Sequence, residues 1–177
     1  MRRTGALIAG FWTLAAAVVA AAGLQVTPLA RDGRVYVSFE LSDGFSDDLR
    51  AAMHSGLTTT FSYDVDLRRG ATLWFDHTLA SATVAASVKY DTLTRKYNLT
   101  RAVDGRIERA DVTDSEDAAR AWLTQVDKLA LCATDTLEPN VEYYLRVRAH
   151  TSPRTAWFLW PWDRHEASGT AKFTLLR

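Results

Sequence analysis

Leu57-Thr58-Thr59-Thr60-Phe61-Ser62-Tyr63-Asp64-Val65-Asp66-Leu67 is the stretch on which the fold turns. Leu57, Thr59, Phe61, Tyr63, Val65 and Leu67 hold every second position, and small or charged residues fill the gaps. Successive side chains of a strand point to opposite faces, so this spacing predicts a strand with one face on a core and one in water. Parallel strands are covered on both faces and read as unbroken apolar runs, so the sheet is expected to be antiparallel.

The same alternation recurs outward in both directions. Val35, Val37, Phe39 and Leu41 lie upstream; Val84, Ala86, Val88 and Tyr90 lie downstream, followed by Val141, Tyr143, Leu145 and Val147, then Ala171, Phe173 and Leu175. Asp32-Gly33 and Asp104-Gly105 are hairpin signals, because paired left-handed residues match the twist of the flanking strands. Pro139-Asn140 marks a further turn.

Two segments break the rhythm. Ser46 to Gly56 opens with a capping residue and acids, places Leu49, Ala52 and Met53 on one face and stops at glycine. Thr113-Asp114-Ser115-Glu116 reads as a capping box for a helix to about Asp127, with Ala119, Trp122, Leu123 and Val126 as its apolar stripe. The expected fold is mostly β (α+β): an antiparallel β-sandwich or curved sheet of about eight strands with two short helices.

Met1-Arg2-Arg3 precedes an apolar stretch from Ala6 to Ala22, and Ala20-Ala21-Ala22 supplies the small side chains that a signal peptidase reads. Residues 1–22 therefore read as a signal peptide, and 23–177 as a single β-rich domain in the periplasm. An uncleaved membrane anchor is the alternative, at the short end of what spans a bilayer. The chain carries 21 basic and 21 acidic residues, without the basic footprint of a nucleic-acid binder, and that class is excluded. Its one cysteine, Cys132 among Leu129, Ala130 and Leu131, permits no internal disulfide and reads as a small buried apolar residue.

The sequence resembles a family of exported bacterial proteins built on a single domain of unknown function. The likeness is carried by Leu49–Leu57 leading into Phe61–Val65, by Trp74-Phe75-Asp76 and by Val88–Tyr97. The Trp122-Leu123 helix and Tyr143–Ala149 complete it. The resemblance implies the compartment and a single domain, brings no activity or catalytic residue to map, and suggests a part in envelope signalling beside membrane sensor kinases.

No assembled reactive constellation is legible. The histidines at 54, 77, 150 and 165 are not at ligand spacing on one element, and phosphate loops, dinucleotide fingerprints and nucleophile elbows are missing. Asp43, Asp47 and Asp48 read as acids favoured by a helix N-terminus rather than as cation ligands. No catalytic, cofactor-binding or metal residue is assigned.

Candidate surfaces are two. Trp157, Phe158, Trp160 and Trp162 place half of the six tryptophans within one short loop, either a cap folded on the sandwich or a site for a protein partner or the lipid interface. Arg146 and Arg148 offer a face for an acidic partner, with cross-strand ion pairing as the simpler reading. The expected function is a non-enzymatic module engaging an envelope or membrane-sensor protein. Membrane contact would run only through an uncleaved N-terminal segment or the tryptophan loop. The alternatives are a carrier of a small apolar ligand, with Trp74, Trp122 and the 157–162 loop at its mouth, and a hydrolase using some of Asp76, Asp91, Tyr90 and His77.

Overall fold

The computed structural model describes residues 15–19, 23–42, 44–69, 77–153 and 166–175. The 157–162 loop, Trp74, Asp76, Asp43 and most of the N-terminal segment lie outside the described residues. The architecture is two antiparallel sheets facing one another.

The stretch that opens the sequence argument forms β4 (Thr59–Arg69), the centre of the larger sheet. Thr59, Phe61, Tyr63, Val65 and Leu67 are all buried, while Thr60, Ser62, Asp64, Asp66 and Arg68 face outward. The strand begins two residues later than its pattern suggests, and Leu57 is left exposed. On one flank β4 pairs along its whole length with β5 (His77–Asp91), and on the other with β9 (Glu142–Pro153).

Beyond β5 come β6 (Lys96–Val103) and β7 (Arg106–Thr113); beyond β9 come β10 (Glu166–Thr174) and β1 (Ala15–Val19). β1 lies within the segment read as a signal and pairs with residues 170–174. The smaller sheet holds β2 (Leu24–Arg31), β3 (Arg34–Leu41) and β8 (Gln125–Ala133), with β3 in the middle.

Both aspartate–glycine turns take the left-handed conformation that the hairpin needs: φ is 51° and 73° at Asp32-Gly33, and 49° and 78° at Asp104-Gly105. The second turn is also tied sideways, because the Thr83 amide donates to the Asp104 carboxylate at 2.9 Å.

Helix α1 (Asp47–His54) is capped by Ser46, whose hydroxyl accepts from the Leu49 amide, and buries Met53. Helix α2 (Glu116–Thr124) is capped by Ser115, not Thr113, and ends at Thr124 rather than near Asp127. The chain passes from α2 straight into β8, a strand that the sequence pattern hides.

The sheets join through one apolar core. Phe39 of β3 and Tyr63 of β4 meet across it with ring centroids 4.8 Å apart. The sandwich is closed along one side, where β10 lies against β2. There a side chain at Gly169 would stand 2.5 Å from the Leu24 carbonyl oxygen and 2.8 Å from a Val26 methyl. Only glycine permits that approach of two backbones.

Gly169→Val is therefore expected to lower stability by about 2–3 kcal/mol through overpacking. Ser168→Ala, on the exposed face beside it, should stay within about 0.5 kcal/mol. Urea midpoints at unchanged slope are the measurement, and equal midpoints for the two variants would contradict the close contact.

Candidate functional site

The side opposite Gly169 is open. β7 ends the larger sheet and β8 ends the smaller, so two edge strands border one cleft, with α2 lying over it. The inward positions of β6 show how the cleft is furnished. Tyr97 and Leu99 are buried apolar residues, as the pattern requires, but the next inward position is Arg101.

Arg101 Nη2 donates to the backbone oxygens of Trp122 at 2.7 Å and Gln125 at 2.9 Å. It does so where α2 ends, and that helix has no basic residue in its own last turn. Helix C-termini leave carbonyls unpaired and carry partial negative charge, so a cation from a neighbouring strand satisfies both needs. Tyr63 Oη donates to the next carbonyl, that of Leu123, at 2.5 Å. Trp122 Nε1 in turn donates to the Thr100 carbonyl at 3.2 Å.

The guanidinium of Arg101 lies 4.4 Å from the Trp122 ring centroid, and that of Arg109, opposite it on β7, lies at 5.2 Å. Both distances fall within cation–π range. Burial, then the charge of Arg109, pulls the Arg101 pKa down from its ordinary value. An arginine stays protonated regardless, so the consequence is a partly desolvated cation. Its Nε is buried and, among the described residues, has no hydrogen-bond partner.

Two openings meet at this group. One, about 220 Å³, is bordered by Val84, Arg101, Glu108 and Val126–Ala130; the other, about 450 Å³, by Arg109, Asp111, Trp122 and Gln125. Arg101 and Asp127 border both. The rim alternates in sign, with Glu108, Asp111 and Asp127 set among Arg109 and Lys128. Such a surface suits a partner carrying both charges better than a lone anion.

The surfaces named from sequence fare differently. Trp157, Phe158, Trp160 and Trp162 lie outside the described residues. Arg146 and Arg148 stand on the outer face of the larger sheet, where Arg148 Nη2 meets Asp66 Oδ2 at 3.4 Å and Arg146 is exposed. Asp66 also meets Arg68 of its own strand at 3.4 Å, and His150 Nε2 on β9 lies 3.1 Å from the Asp64 carboxylate on β4.

The hydrolase candidates are dispersed. His77 and Asp91 are the two ends of β5, roughly 45 Å of extended strand apart at about 3.3 Å per residue. The Asp91 carboxylate accepts from the amides of Leu93 and Thr94, and those bonds hold its pKa below the ordinary carboxylate range. Tyr90 stacks beside Tyr97 at 4.8 Å.

One cluster has no sequence signal, because its members are more than sixty residues apart. Glu116 at the start of α2 accepts from Arg50 Nε at 2.6 Å and lies 3.2 Å from His54 Nε2, both on α1. Burial raises the Glu116 pKa, but the hydrogen bonds from Arg50 and His54 outweigh it and hold the carboxyl low. The His54 ring rests edge-on against Tyr90 at 5.5 Å. Neither opening touches this cluster, and it serves to fasten one helix to the other.

Cys132 is free and half-buried, and burial pushes its thiol above the ordinary range, away from thiolate reactivity. Among the described residues no group of three or more His, Cys, Asp or Glu could hold a metal ion, and no helix is long and apolar enough to cross a membrane. The sequence model of one family, described as a domain of unknown function (DUF4390), matches residues 22–155. No curated protein and no solved structure matches the chain.

Trp122→Ala should cost about 3–5 kcal/mol, since it empties a buried site and removes an indole donor. An unchanged unfolding midpoint would refute that placement. Tyr63 provides a pH test. Burial holds its phenol well above the ordinary value of 10.0, so the folded chain keeps a proton that the unfolded chain releases above that pH. The stabilisation is thus complete below pH 10 and is lost as pH rises further. Tyr63→Phe should lower stability by about 1–3 kcal/mol at neutral pH, leaving the Leu123 carbonyl unpaired, yet flatten the decline above pH 10. Parallel slopes for the two proteins between pH 9 and 11 would contradict the buried phenol.

Proposed function

From the premise that this chain belongs to the DUF4390 family of domains of unknown function, we propose a non-enzymatic binding module of the bacterial envelope. Its Arg101–Trp122 cleft engages a protein partner, of the membrane-sensor or other envelope class. The observation that carries this reading is the partly desolvated Arg101, set with Arg109 against Trp122 in a cleft open to solvent. Tryptophan and arginine dominate the energetic centres of protein interfaces, where a small desolvated anchor lies inside a polar rim. The alternating charges of Glu108, Arg109, Asp111, Asp127 and Lys128 supply such a rim.

The ligand-carrier alternative draws less support. The interior between the sheets is filled by Phe39, Phe61, Tyr63 and their neighbours. Both openings are bordered by charged side chains, where a carrier of apolar molecules needs an apolar pocket. Export follows from the basic head, apolar core and Ala20-Ala21-Ala22 of the N-terminal segment.

A photo-crosslinking residue at Lys128, on the cleft rim, is the test in living cells, with Lys89 on the opposite sheet face as control. Position 128 should give one discrete adduct with an envelope protein, and position 89 none. Fractionation should place the chain in the periplasm with Gly23 as its first residue. Equal labelling from both positions, no adduct at 128, or a cytosolic chain would overturn the proposal.

A further inference from the structure

Among the described residues β7 is an edge strand, paired only with β6. From Arg106 to Val112 every residue is exposed, including Ile107 at 70 % and Val112 at 54 %. Edge strands of natural proteins are normally kept short, bent by bulges, or guarded by proline or charged side chains, because a bare ladder recruits another strand. β7 is eight residues long and carries Arg106, Glu108, Arg109 and Asp111 with a bulge at Glu108, guards against indiscriminate pairing that a charge-matched strand satisfies.

The charge order of β7 fits one occupant in particular, a second copy of itself. In an antiparallel pair related by a two-fold axis normal to the sheet, side chains directly opposite must share a face. Some residue therefore stands opposite its own copy. With Arg109, Asp111 or Glu108 at that centre, two like charges meet face to face.

With Ala110 at the centre, Arg109 stands opposite the second copy's Asp111, and Asp111 opposite the second copy's Arg109. Regular pairing in this register spans residues 109–111 of each copy, and Val112 then meets the bulge at Glu108 of the second copy. A centre at Ile107 also pairs opposite charges, Arg106 with Glu108. It falls, however, beside the turn at Asp104-Gly105, and Glu108 is the extra residue of a bulge between the Arg101–Arg109 and Ala102–Ile107 pairs. Only the Ala110 register is both charge-matched and set on the regular part of the strand.

We propose that two copies of this chain associate through β7, in the Ala110-centred register, and continue the larger sheet across the two-fold axis. Pairing covers the exposed ladder around Ala110. It also converts the exposed Arg109–Asp111 pair within one strand, 3.5 Å apart, into an alternating four-charge cluster between strands. The association is argued from the β7 edge alone, although Arg109 and Asp111 also border the cleft.

The experiment is sedimentation equilibrium of the purified chain, alone, across a concentration series. The unaltered protein should show twice the 19.7 kDa chain mass. Arg109→Asp places two aspartates opposite one another at both sites, and Asp111→Arg does the same with arginines. Each should weaken association by about tenfold or more, since like charges directly opposite repel and tenfold corresponds to about 1.4 kcal/mol. The double exchange Arg109→Asp with Asp111→Arg rebuilds the opposite-charge pairs and should restore the dimer.

Circular dichroism of each variant separates lost association from lost folding, and both positions are exposed. A monomeric unaltered protein would overturn the proposal. So would a dimer indifferent to the single exchanges, or a folded double exchange that stays monomeric. Failure here leaves the crosslink expected at Lys128 untouched.

Discussion

The structure depends on how helix α2 is terminated. Its last carbonyls would otherwise be unpaired groups inside an apolar sandwich, where each lost hydrogen bond costs on the order of 1–3 kcal/mol. Two donors from different strands of the larger sheet, Tyr63 of β4 and Arg101 of β6, take the carbonyls of Leu123, Trp122 and Gln125. The Trp122 indole donates in the other direction, to the Thr100 carbonyl. Helix and sheet are thus fastened by polar bonds running both ways, within the layer that also holds the core. The chain leaves this junction directly as β8, so the same bonds fix where the second sheet begins.

That fastening explains an asymmetry between the two sides of the sandwich. At Gly169 the sheets touch backbone to backbone and shut water out. On the other side α2 stands between them, and a helix about 10 Å across cannot be replaced by a closed seam. The gap is filled by Trp122 and by the two arginines over it, which leaves charge at a place where the strand pattern calls for apolar side chains. The cost of desolvating Arg101 is offset by the carbonyls it caps. Arg109 and the charged rim are what remain for an external group to contact.

Much of the fold was legible because alternation survives wherever pairing is regular. β3, β4 and β9 bury the alternating residues assigned to them, apart from Leu57 and Val141, which precede their strands, and both aspartate–glycine turns fall where expected. β8 was hidden for a definite reason. Val126 pairs with Phe39 and Leu129 with Val37, so three residues on β8 match two on β3, with Lys128 left-handed at φ 51°. The bulge converts a spacing of two into a spacing of three, which continues the helical stripe of Ala119, Trp122 and Leu123 without a break. Thr113 was read as the cap for a similar reason, since Ser115 two residues later has the same capping chemistry.

The cleft was less legible than the fold, because each of its members has an ordinary role in its own segment. Trp122 is the anchor of a helix stripe, Arg101 interrupts an alternation of only a few residues, and Arg109 sits in a strand whose pattern is polar throughout. Their convergence comes from the β6–β7 register, which sets Arg101 opposite Arg109, and from the helix that crosses beneath both. Two like charges side by side on a ladder repel, and here the aromatic face of Trp122 and the carbonyls of α2 offset that repulsion. Arg109, exposed and bonded among the described residues only to Asp111 and the indole face, is the more weakly held of the two. Any pairing of the β7 edge that draws Arg109 outward relieves Arg101 of a neighbouring positive charge. The edge and the cleft therefore share one electrostatic element, and occupation of one alters the field in the other.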